Sequence, residues 1–520
     1  MKVIDTSTFD FPYIRTNDRL YVDKTAFVHK LLCGSKEYFL SRPRRFGKSL
    51  LVSTLKALFQ GRRDLFKGLA IDQMDYDWKP HPVIHLDLGS CSADTPEKLE
   101  DFLEGLLDRE ARSLGCTLRG EGTTMRFGNL IDDATPDSQA VVLVDEYDKP
   151  ILANVTSTQA KEILKVLKGF YSVVKTYEGK IRFALITGVS KFSHVSFFSE
   201  LNNLTDITLH PDYAALLGFT EAEIREYFAD RLPAAAVAND VPEEELMRNI
   251  LKWYDGYRFS VAETHVCNPV SLCKFFDNCG KFSNYWGSTG TPTFLLELAR
   301  QNRFDFEGAL AETYTESVFD AYELDSLPVM GLLWQTGYLT IKETVRTPRL
   351  SWKYRLGFPD FEVRESFNEL LLDFYTGRRQ RGNQEFLFQM MDALYADDHE
   401  AFMRLFQAFL ANVPYDLHLK FEKYYQTIFY CVFQLLSGAV EAESRTNAGR
   451  IDAVVKTQKA VYLFEFKLNQ SAEEAVGQIL DRRYYEKYQS CGLPIVCIGA
   501  NFDFSKGQLT SWAETTIAES

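Results

Sequence analysis

The stretch that decides the fold is SRPRRFGKSL, residues 41–50. It closes on Gly47-Lys48-Ser49, the end of a phosphate-binding loop whose full form, G-x-x-x-x-G-K-[ST], asks for another glycine five residues before Gly47. Arg42 stands at that place, followed by Pro43, Arg44 and Arg45. The ten residues alone are equally compatible with a basic turn ahead of a surface helix. Their flanks favour the loop. KEYFLSRP (36–43) is a short apolar strand running into a turn, and KSLLVSTLKALFQG (48–61) sets Leu50, Leu51, Leu55, Leu58 and Phe59 near a 3.6-residue spacing before Gly61. Strand, loop and helix in that order wrap backbone N–H groups around a phosphate and aim the positive end of the helix at it. Lys48 then reaches the β- and γ-phosphates and the Ser49 hydroxyl meets Mg²⁺. Arg45, Phe46, Gly47 and Leu50 complete the nucleotide-binding turn. Pro43 fixes φ and pre-shapes a loop that glycine leaves permissive.

The rest of a nucleotide site follows in chain order. QAVVLVDEYD (139–148) reads as a buried parallel strand ending in Asp145 and Glu146. Acids at such a strand end hold the metal and orient water in phosphoryl transfer. Asp145 is the expected metal ligand with Ser49, and Glu146 the residue that polarises the attacking water. KIRFALITGVS (180–190) is a third buried strand whose end carries Thr187 and Ser190, with Lys191 next, placed to meet a γ-phosphate. Strands alternating with helices over 35–210, among them HPVIHLDLGS (81–90) and the helix PEKLEDFLEGLLDREARSLG (96–115), indicate an α/β sheet.

From GFTEAEIREYFADRL (218–232), where Thr220 and Glu223 form a capping box, to about residue 410 the pattern is mainly helical. GLLWQTGYLTI (331–341) ends in a strand-like piece that hints at a winged-helix-like element. A second α/β stretch follows: the helix FEKYYQTIFYCVFQLLSG, the strands RIDAVV and AVYLFEFKL with a turn near KTQK, the helix SAEEAVGQILDRRYYEKYQ, and the strand PIVCIGANF.

That second stretch carries its own chemistry. Asp452 lies on the first strand of the hairpin, and Glu465 and Lys467 lie on the second, two apart and therefore on one face. Phe464, Phe466 and Leu468 point the other way. Two acids and a lysine in the pattern E-x-K suit a metal-dependent phosphodiesterase, in which carboxylates hold divalent cations and the lysine stabilises charge on the scissile phosphate. Glu422 on the preceding helix is a candidate further metal ligand. Gln478 on the following helix is placed to touch the site, and Arg482, Arg483 and Lys487 are candidates for holding a nucleic-acid backbone. An E-x-K pair on a solvated face is common, but VYLFEFKL is otherwise apolar, and charges inserted into a buried strand mark a functional site.

Composition sets the bounds. At 520 residues the chain exceeds one core, and domain sizes point to about two to four domains. Aromatic residues reach 14%, including 40 Phe and 26 Tyr, which argues for filled cores. The nine cysteines are odd in number and form no C-x-x-C pair, so reduced thiols are expected rather than a disulfide or zinc framework. The first twenty residues hold no apolar signal region and no run of 18 apolar residues occurs, so a cytoplasmic, non-membrane protein is expected. A net charge of −14 argues against a surface that coats nucleic acid, yet residues 41–68 carry a local balance of +7 and 304–325 hold seven acids and no base.

These motifs together resemble a bacterial family that joins an N-terminal AAA-ATPase-like domain to a C-terminal PD-(D/E)XK nuclease-superfamily domain. The likeness runs through YVDKT (21–25), SRPRRFGKSL, VVLVDEYDKP, and LITGVSKFS followed by FFSELNNLTDIT. It continues through GFTEAEI, WYDGYRFS, NPVSL and QTGYLTI to GRIDAVV, FEFKL and GQILDRRYYEKY. It implies an α/β multidomain chain: a P-loop, AAA-like parallel-sheet domain over 1–215, a mainly helical region over 216–410, and a restriction-endonuclease-like α/β domain over 411–520. In this family the arginine-rich loop is a usual form. The likeness assigns Gly47, Lys48 and Ser49 to the nucleotide, Asp145 and Glu146 to the Walker B acids, and Asp452, Glu465 and Lys467 to the nuclease core. Arg258, in DGYRF, is a candidate sensor or finger arginine.

The expected function is an ATP-binding and hydrolysing protein coupled to a Mg²⁺-dependent nuclease, with Mn²⁺ as an alternative at the nuclease site, acting on DNA or RNA; the resemblance suggests a setting in defence or mobile elements. A homo-oligomer is compatible with it. Two other readings stay open at this point: an ATP-dependent switch whose nuclease-like domain binds nucleic acid or a partner without cleaving, and an ATPase that remodels protein partners. The remaining question at the opening loop is where its arginines go: onto phosphate, or outward to another chain or nucleic acid.

Overall fold

The computed structural model describes all residues except 137, 156, 192–202, 288–292, 302–303, 321–327, 378–379, 414–421, 437–440, 443–450, 504–507 and 518–520. The chain divides into two compact units, one of residues 1–295 with 310–363 and one of residues 296–309 with 364–520.

The first unit is built on a parallel sheet. Its strands are β1 (Glu37–Ser41), β2 (Val83–Asp87), β3 (Ala140–Asp145), β4 (Ile181–Gly188) and β5 (Thr205–Asp206), in the order β2-β3-β4-β1-β5. Every residue of β1 and β3 is buried, as unbroken apolar runs require when helices cover both faces. On one face the helices Pro96–Leu114, Thr123–Ala134 and Ala160–Thr176 close a core that includes Phe39, Leu86, Val142, Ile163 and Ile186. Phe127 and Phe170 stack there at 4.9 Å. On the helix Lys48–Phe59, Leu55, Leu58 and Phe59 are fully buried, and Phe59 meets Phe183 of β4 at 5.2 Å.

Register puts the chemistry at one edge. Ser41 pairs with Gly188, and Asp87 with Asp145, so the carboxyl ends of β1, β3 and β4 finish side by side. Ligands of open α/β sheets bind outside these strand ends. Gly188 is required by close approach: a Cβ there would lie 2.6 Å from the Tyr147 ring and 2.7 Å from Asp148 Oδ1.

The helices Glu221–Tyr227, Leu232–Ala238, Glu243–Tyr254 and Pro269–Asp277 pack around Ile224, Phe228, Leu246, Ile250 and Leu272. The capping box read from Thr220 and Glu223 is present in both directions. GLLWQTGYLTI divides into the helix Val329–Thr336, closed by Gly337 in the left-handed region, and the start of a strand. That strand, β7 (Thr340–Arg346), joins β6 (Tyr314–Thr315) and β8 (Trp352–Gly357) in an antiparallel sheet ordered β6-β8-β7.

The second unit holds a mixed sheet of β9 (Glu441–Ala442), β10 (Ala453–Lys456), β11 (Val461–Leu468), β12 (Ile495–Asp503) and β13 (Gln508–Ile517), in chain order across the sheet. The hairpin β10–β11 turns at Thr457–Ala460, β11 and β12 run parallel with the helix Ala472–Asp481 between them, and β13 returns antiparallel. The expected helix over 471–489 is shorter than its sequence pattern. It stops at Asp481, Arg483 turns into the left-handed region at φ 52°, and a 3₁₀ segment Tyr484–Cys491 follows. The fold class read from the sequence is the one observed: a parallel α/β sheet, a mainly helical middle and a second, mixed α/β sheet.

Candidate functional site: a phosphate loop and a two-acid lysine cluster

At the first site the chain leaves β1 through Arg42–Phe46 and enters the helix at Gly47. Gly47 has φ 91°, and no side chain caps the helix start, so its first N–H groups face the loop. Lys48 is buried. Its Nζ donates to the carbonyls of Arg42 at 2.8 Å and Pro43 at 3.0 Å, across the loop's centre. Burial lowers its pKa, opposed by the charges of Asp145, Asp148 and Glu146. Asp145 is buried and accepts Thr187 Oγ1 at 2.6 Å and the Glu146 N–H at 3.1 Å. Glu146 holds a left-handed backbone at φ 51°, a conformation that costs a non-glycine residue of order 1–3 kcal/mol and clusters at functional sites.

Beside the loop lies a cavity of about 540 Å³, within the usual range for small-ligand sites. Its lining includes the polar Arg44, Arg45, Lys48, Ser49, Glu146 and Lys149, with Phe46, Gly47 and Leu50 of the loop. It also includes the apolar Ile4, Ile14, Leu20, Val22, Leu217 and Phe219. Cationic groups for phosphate and apolar groups for a base are what a nucleotide demands.

The arginines of the loop have distinct fates. Arg42 points neither to phosphate nor outward. It is 1% exposed, donates to the carbonyls of Ser41, Thr208 and Tyr213 at 2.9, 2.7 and 3.4 Å, and lies 4.2 Å from the Phe259 ring centroid. It fastens the end of β1 to the chain beyond β5. Arg45 lines the cavity but gives its guanidinium to the Tyr285 carbonyl, near Glu362. Glu362 is pushed up to about 7 by burial, although it accepts the Tyr285 and Trp286 N–H groups. Arg44 is exposed at the cavity's edge. The Phe46 ring is buried edge-on against Tyr257 at 4.7 Å and Phe259 at 5.3 Å. Arg42→Met should therefore lower the stability of this unit by about 2–4 kcal/mol, because it strands buried carbonyls. Thermal unfolding checks this; an unchanged Tm with weakened nucleotide binding would place the guanidinium on phosphate instead.

Other expected contacts are already engaged elsewhere. Ser190 Oγ and N–H both donate to Asp148, at 2.6 and 2.7 Å, and Lys191 pairs with Asp206. Arg258 spends its guanidinium on the carbonyls of Ser260, Val261 and Ala262 and on Thr344 Oγ1, and it does not line the cavity. Asp148, Lys149 and the wall Ile4–Phe9 were missed from sequence. Asp148 and Lys149 stand in the quoted DEYDKP, where their type was visible but their direction was not. The N-terminal wall carries no motif.

At the second site, Asp452 precedes β10, and Glu465 and Lys467 lie on β11. Asp452 Oδ2 accepts the Phe466 N–H at 2.8 Å. Glu465 is 4% exposed; its Oε1 accepts Gln478 Nε2, and Lys467 Nζ at 3.4 Å. Lys467 also donates to Gln478 Oε1, so strand and helix are bridged. Burial first, and the Asp452 charge second, raise the Glu465 carboxyl to about 7 against the pull of Lys467. Its Oε2 is buried with no hydrogen-bond partner among the described residues, an orphan a cation would satisfy. Among the described residues no group of three or more His, Cys, Asp or Glu could hold a metal, so two carboxylates are what the described side chains offer here. Glu422 opens the helix Glu422–Leu436, but its side chain lies outside the described residues. On the opposite face Phe466 stacks on Phe429 at 4.6 Å and Phe464 meets Phe433 at 5.0 Å, as the alternation required. Arg482, Arg483 and Lys487 are exposed beyond the helix.

Comparison with known proteins agrees in both units. A family model described as a predicted AAA-ATPase matches residues 6–198, and one described as the PD-(D/E)XK nuclease superfamily matches residues 420–512. An uncharacterized protein in the vnfD 5′ region of Azotobacter chroococcum mcd 1 is 39% identical over 503 residues, covering 94% of this chain and 93% of its own. The chain belongs to this family of AAA-ATPase-like proteins with a PD-(D/E)XK nuclease-superfamily domain. No solved structure matches it. Each of the two sites falls within one of the matches. The AAA-ATPase-like match contains the loop, Asp145 and Glu146, and the nuclease-superfamily match contains Asp452, Glu465, Lys467 and Gln478. Arg258 falls in neither. No helix among the described residues is long and apolar enough to cross a membrane.

Proposed function

We propose that the protein is an ATP-hydrolysing, metal-dependent nuclease, with DNA or RNA cut at the site of Asp452, Glu465 and Lys467. The observation that carries this is a buried Glu465 whose Oε1 is held by Lys467 and Gln478, whose Oε2 has no hydrogen-bond partner among the described residues, and on whose charge Asp452 acts. A binding-only domain has no need to bury an unpaired carboxylate oxygen beside a lysine, since that costs on the order of 1–3 kcal/mol.

Asp452 and Glu465 would hold the cation at the nuclease site, and Ser49 and Asp145 at the nucleotide site; hydroxyl and carboxylate oxygens suit Mg²⁺, with Mn²⁺ the alternative at the nuclease site. A bound cation supplies Lewis acidity and a lowered pKa for water. The chain's own groups do the rest. Lys467, held by Glu465 and Gln478, presents an ammonium to charge that grows on the scissile phosphate. Exposed Arg482 and Lys487 hold the backbone. In the first unit Lys48 and the open helix start hold the phosphates, and Glu146 lies at the cavity to take the proton of the attacking water. Thr187 keeps Asp145 in place.

Incubation with plasmid, linear and single-stranded DNA and with RNA, with Mg²⁺ or Mn²⁺ and with or without ATP, tests the reading. Cleavage of at least one substrate, lost on chelation, is the expected result. No cleavage in any combination would leave a nucleotide-dependent binding module.

A further inference from the structure

Phosphoryl transfer from a nucleoside triphosphate spreads negative charge over the transferred group, and a cation beyond the loop lysine stabilises it. Such a cation comes either from the same chain or from a neighbour, and is worth 10³–10⁵ in rate. The cations near this site can be sorted by what they already hold. Arg42 is fastened to three carbonyls, Arg258 to its own loop, Lys191 to Asp206 and Lys24 to Glu223. Arg45 is given to Tyr285 and Glu362.

Two remain. Lys149 lies three residues after Glu146 in DEYDK, is half-buried, and lines the cavity together with Glu146, Lys48 and Ser49. Its ammonium has no partner among the described residues. The two residues between Glu146 and Lys149 are fixed: Tyr147 N–H donates to the Thr187 carbonyl, and Asp148 accepts the Val189 and Ser190 N–H groups. Lys149 therefore stands on a rigid base with a free end. Arg44, exposed on the loop and close enough to Lys48 to act on its charge, lines the same cavity.

We propose that Lys149, assisted by Arg44, supplies in cis the positive charge on the γ-phosphoryl group, so that each chain hydrolyses its nucleotide without a neighbour's arginine. This rests on the reading of the first unit as an ATPase. In the step, a water oxygen bonds to the γ-phosphorus as the bond from that phosphorus to the β–γ bridging oxygen breaks. The electron pair leaves on the oxygen of ADP, and the water proton passes to the Glu146 carboxylate. Lys149 meets the γ-phosphoryl oxygens, where charge is greatest at the transition state, and so contributes to kcat more than to binding.

The test uses the full chain and three readouts: ATP turnover, ADP affinity, and affinity for ADP with aluminium fluoride, which mimics the transferred group. Lys149→Met is expected to lower kcat at least 100-fold, to leave ADP affinity within about threefold, and to lose the aluminium fluoride complex. Lys149→Arg should restore a large part of each loss, and turnover per wild-type chain should not vary with protein concentration. Lys149→Met turning over within threefold of wild type overturns the proposal, as does equal loss of ADP and aluminium fluoride binding. Turnover per chain that climbs with concentration overturns the cis assignment. A wild-type chain that binds no nucleotide fails the ATPase reading itself, which separates the two failures.

Discussion

Lys467→Ala is expected to lower metal-dependent cleavage by about 10²–10³-fold, the usual cost of removing one preorganised group that stabilises transition-state charge. The residue is suited to that role by its surroundings. Its Nζ is held between Glu465 Oε1 and Gln478 Oε1, from β11 and from the following helix, so its position is set before substrate arrives. The side chain is about one-fifth exposed, open to a phosphate yet partly withdrawn from water. Because the loss is electrostatic, it should fall on kcat, with nucleic-acid affinity little changed. Cleavage rates and equilibrium binding of the same labelled substrate check this. Lys467→Ala cutting as well as wild type would remove the nuclease assignment. Loss of binding in proportion to cleavage would make Lys467 a holding group.

Lys48→Ala is expected to weaken ATP binding and hydrolysis by at least about 100-fold, because charge-assisted contacts to phosphate are among the strong ones. The lysine also bridges the carbonyls of Arg42 and Pro43, so some loosening of the loop accompanies the change. Thermal unfolding of the variant separates the two effects: a small shift in Tm with binding lost assigns the effect to phosphate. A variant that hydrolyses ATP normally would remove the assignment of SRPRRFGKSL as a nucleotide loop. Nuclease activity of the same variant, with and without ATP, then reports whether the sites are coupled.

Much of this molecule is local in its causes. The buried runs EYFLS, AVVLVD and IRFALITG became strands β1, β3 and β4 because an unbroken apolar segment between helices has few other ways to be covered. The alternation in VYLFEFKL placed Glu465 and Lys467 on one face and Phe464 and Phe466 on the other. Where the pattern was weak, elements were missed. The helix Thr123–Ala134 was not read from the sequence; it buries Phe127, Leu130 and Ile131 against both the helix Pro96–Leu114 and the helix Ala160–Thr176. Strand β13 alternates mostly exposed residues and is held by its pairing with β12. The helix over 471–489 ended early because Arg483 turns left-handed, which its side chain did not announce.

By itself, the sequence determined the kinds of groups and their order along the chain: a lysine and serine at a helix start, acids at a strand end, and an acid, an acid and a lysine on a hairpin. These follow from spacing, since neighbours within a turn or along a strand have fixed relative directions. The tertiary structure decided where each long side chain spends its charge. Arg42 occupies the place of a glycine in the loop motif, yet it points to Thr208, Tyr213 and Phe259, all more than 160 residues away. Arg45, Lys191 and Arg258 were likewise taken up by distant or looping backbone and by Asp206, while Lys149, unremarked in the sequence, was left facing the cavity. The physical reason is reach. A flexible cation settles on whichever carbonyls and carboxylates folding brings within a few ångströms, and those partners come from parts of the chain that no local pattern connects.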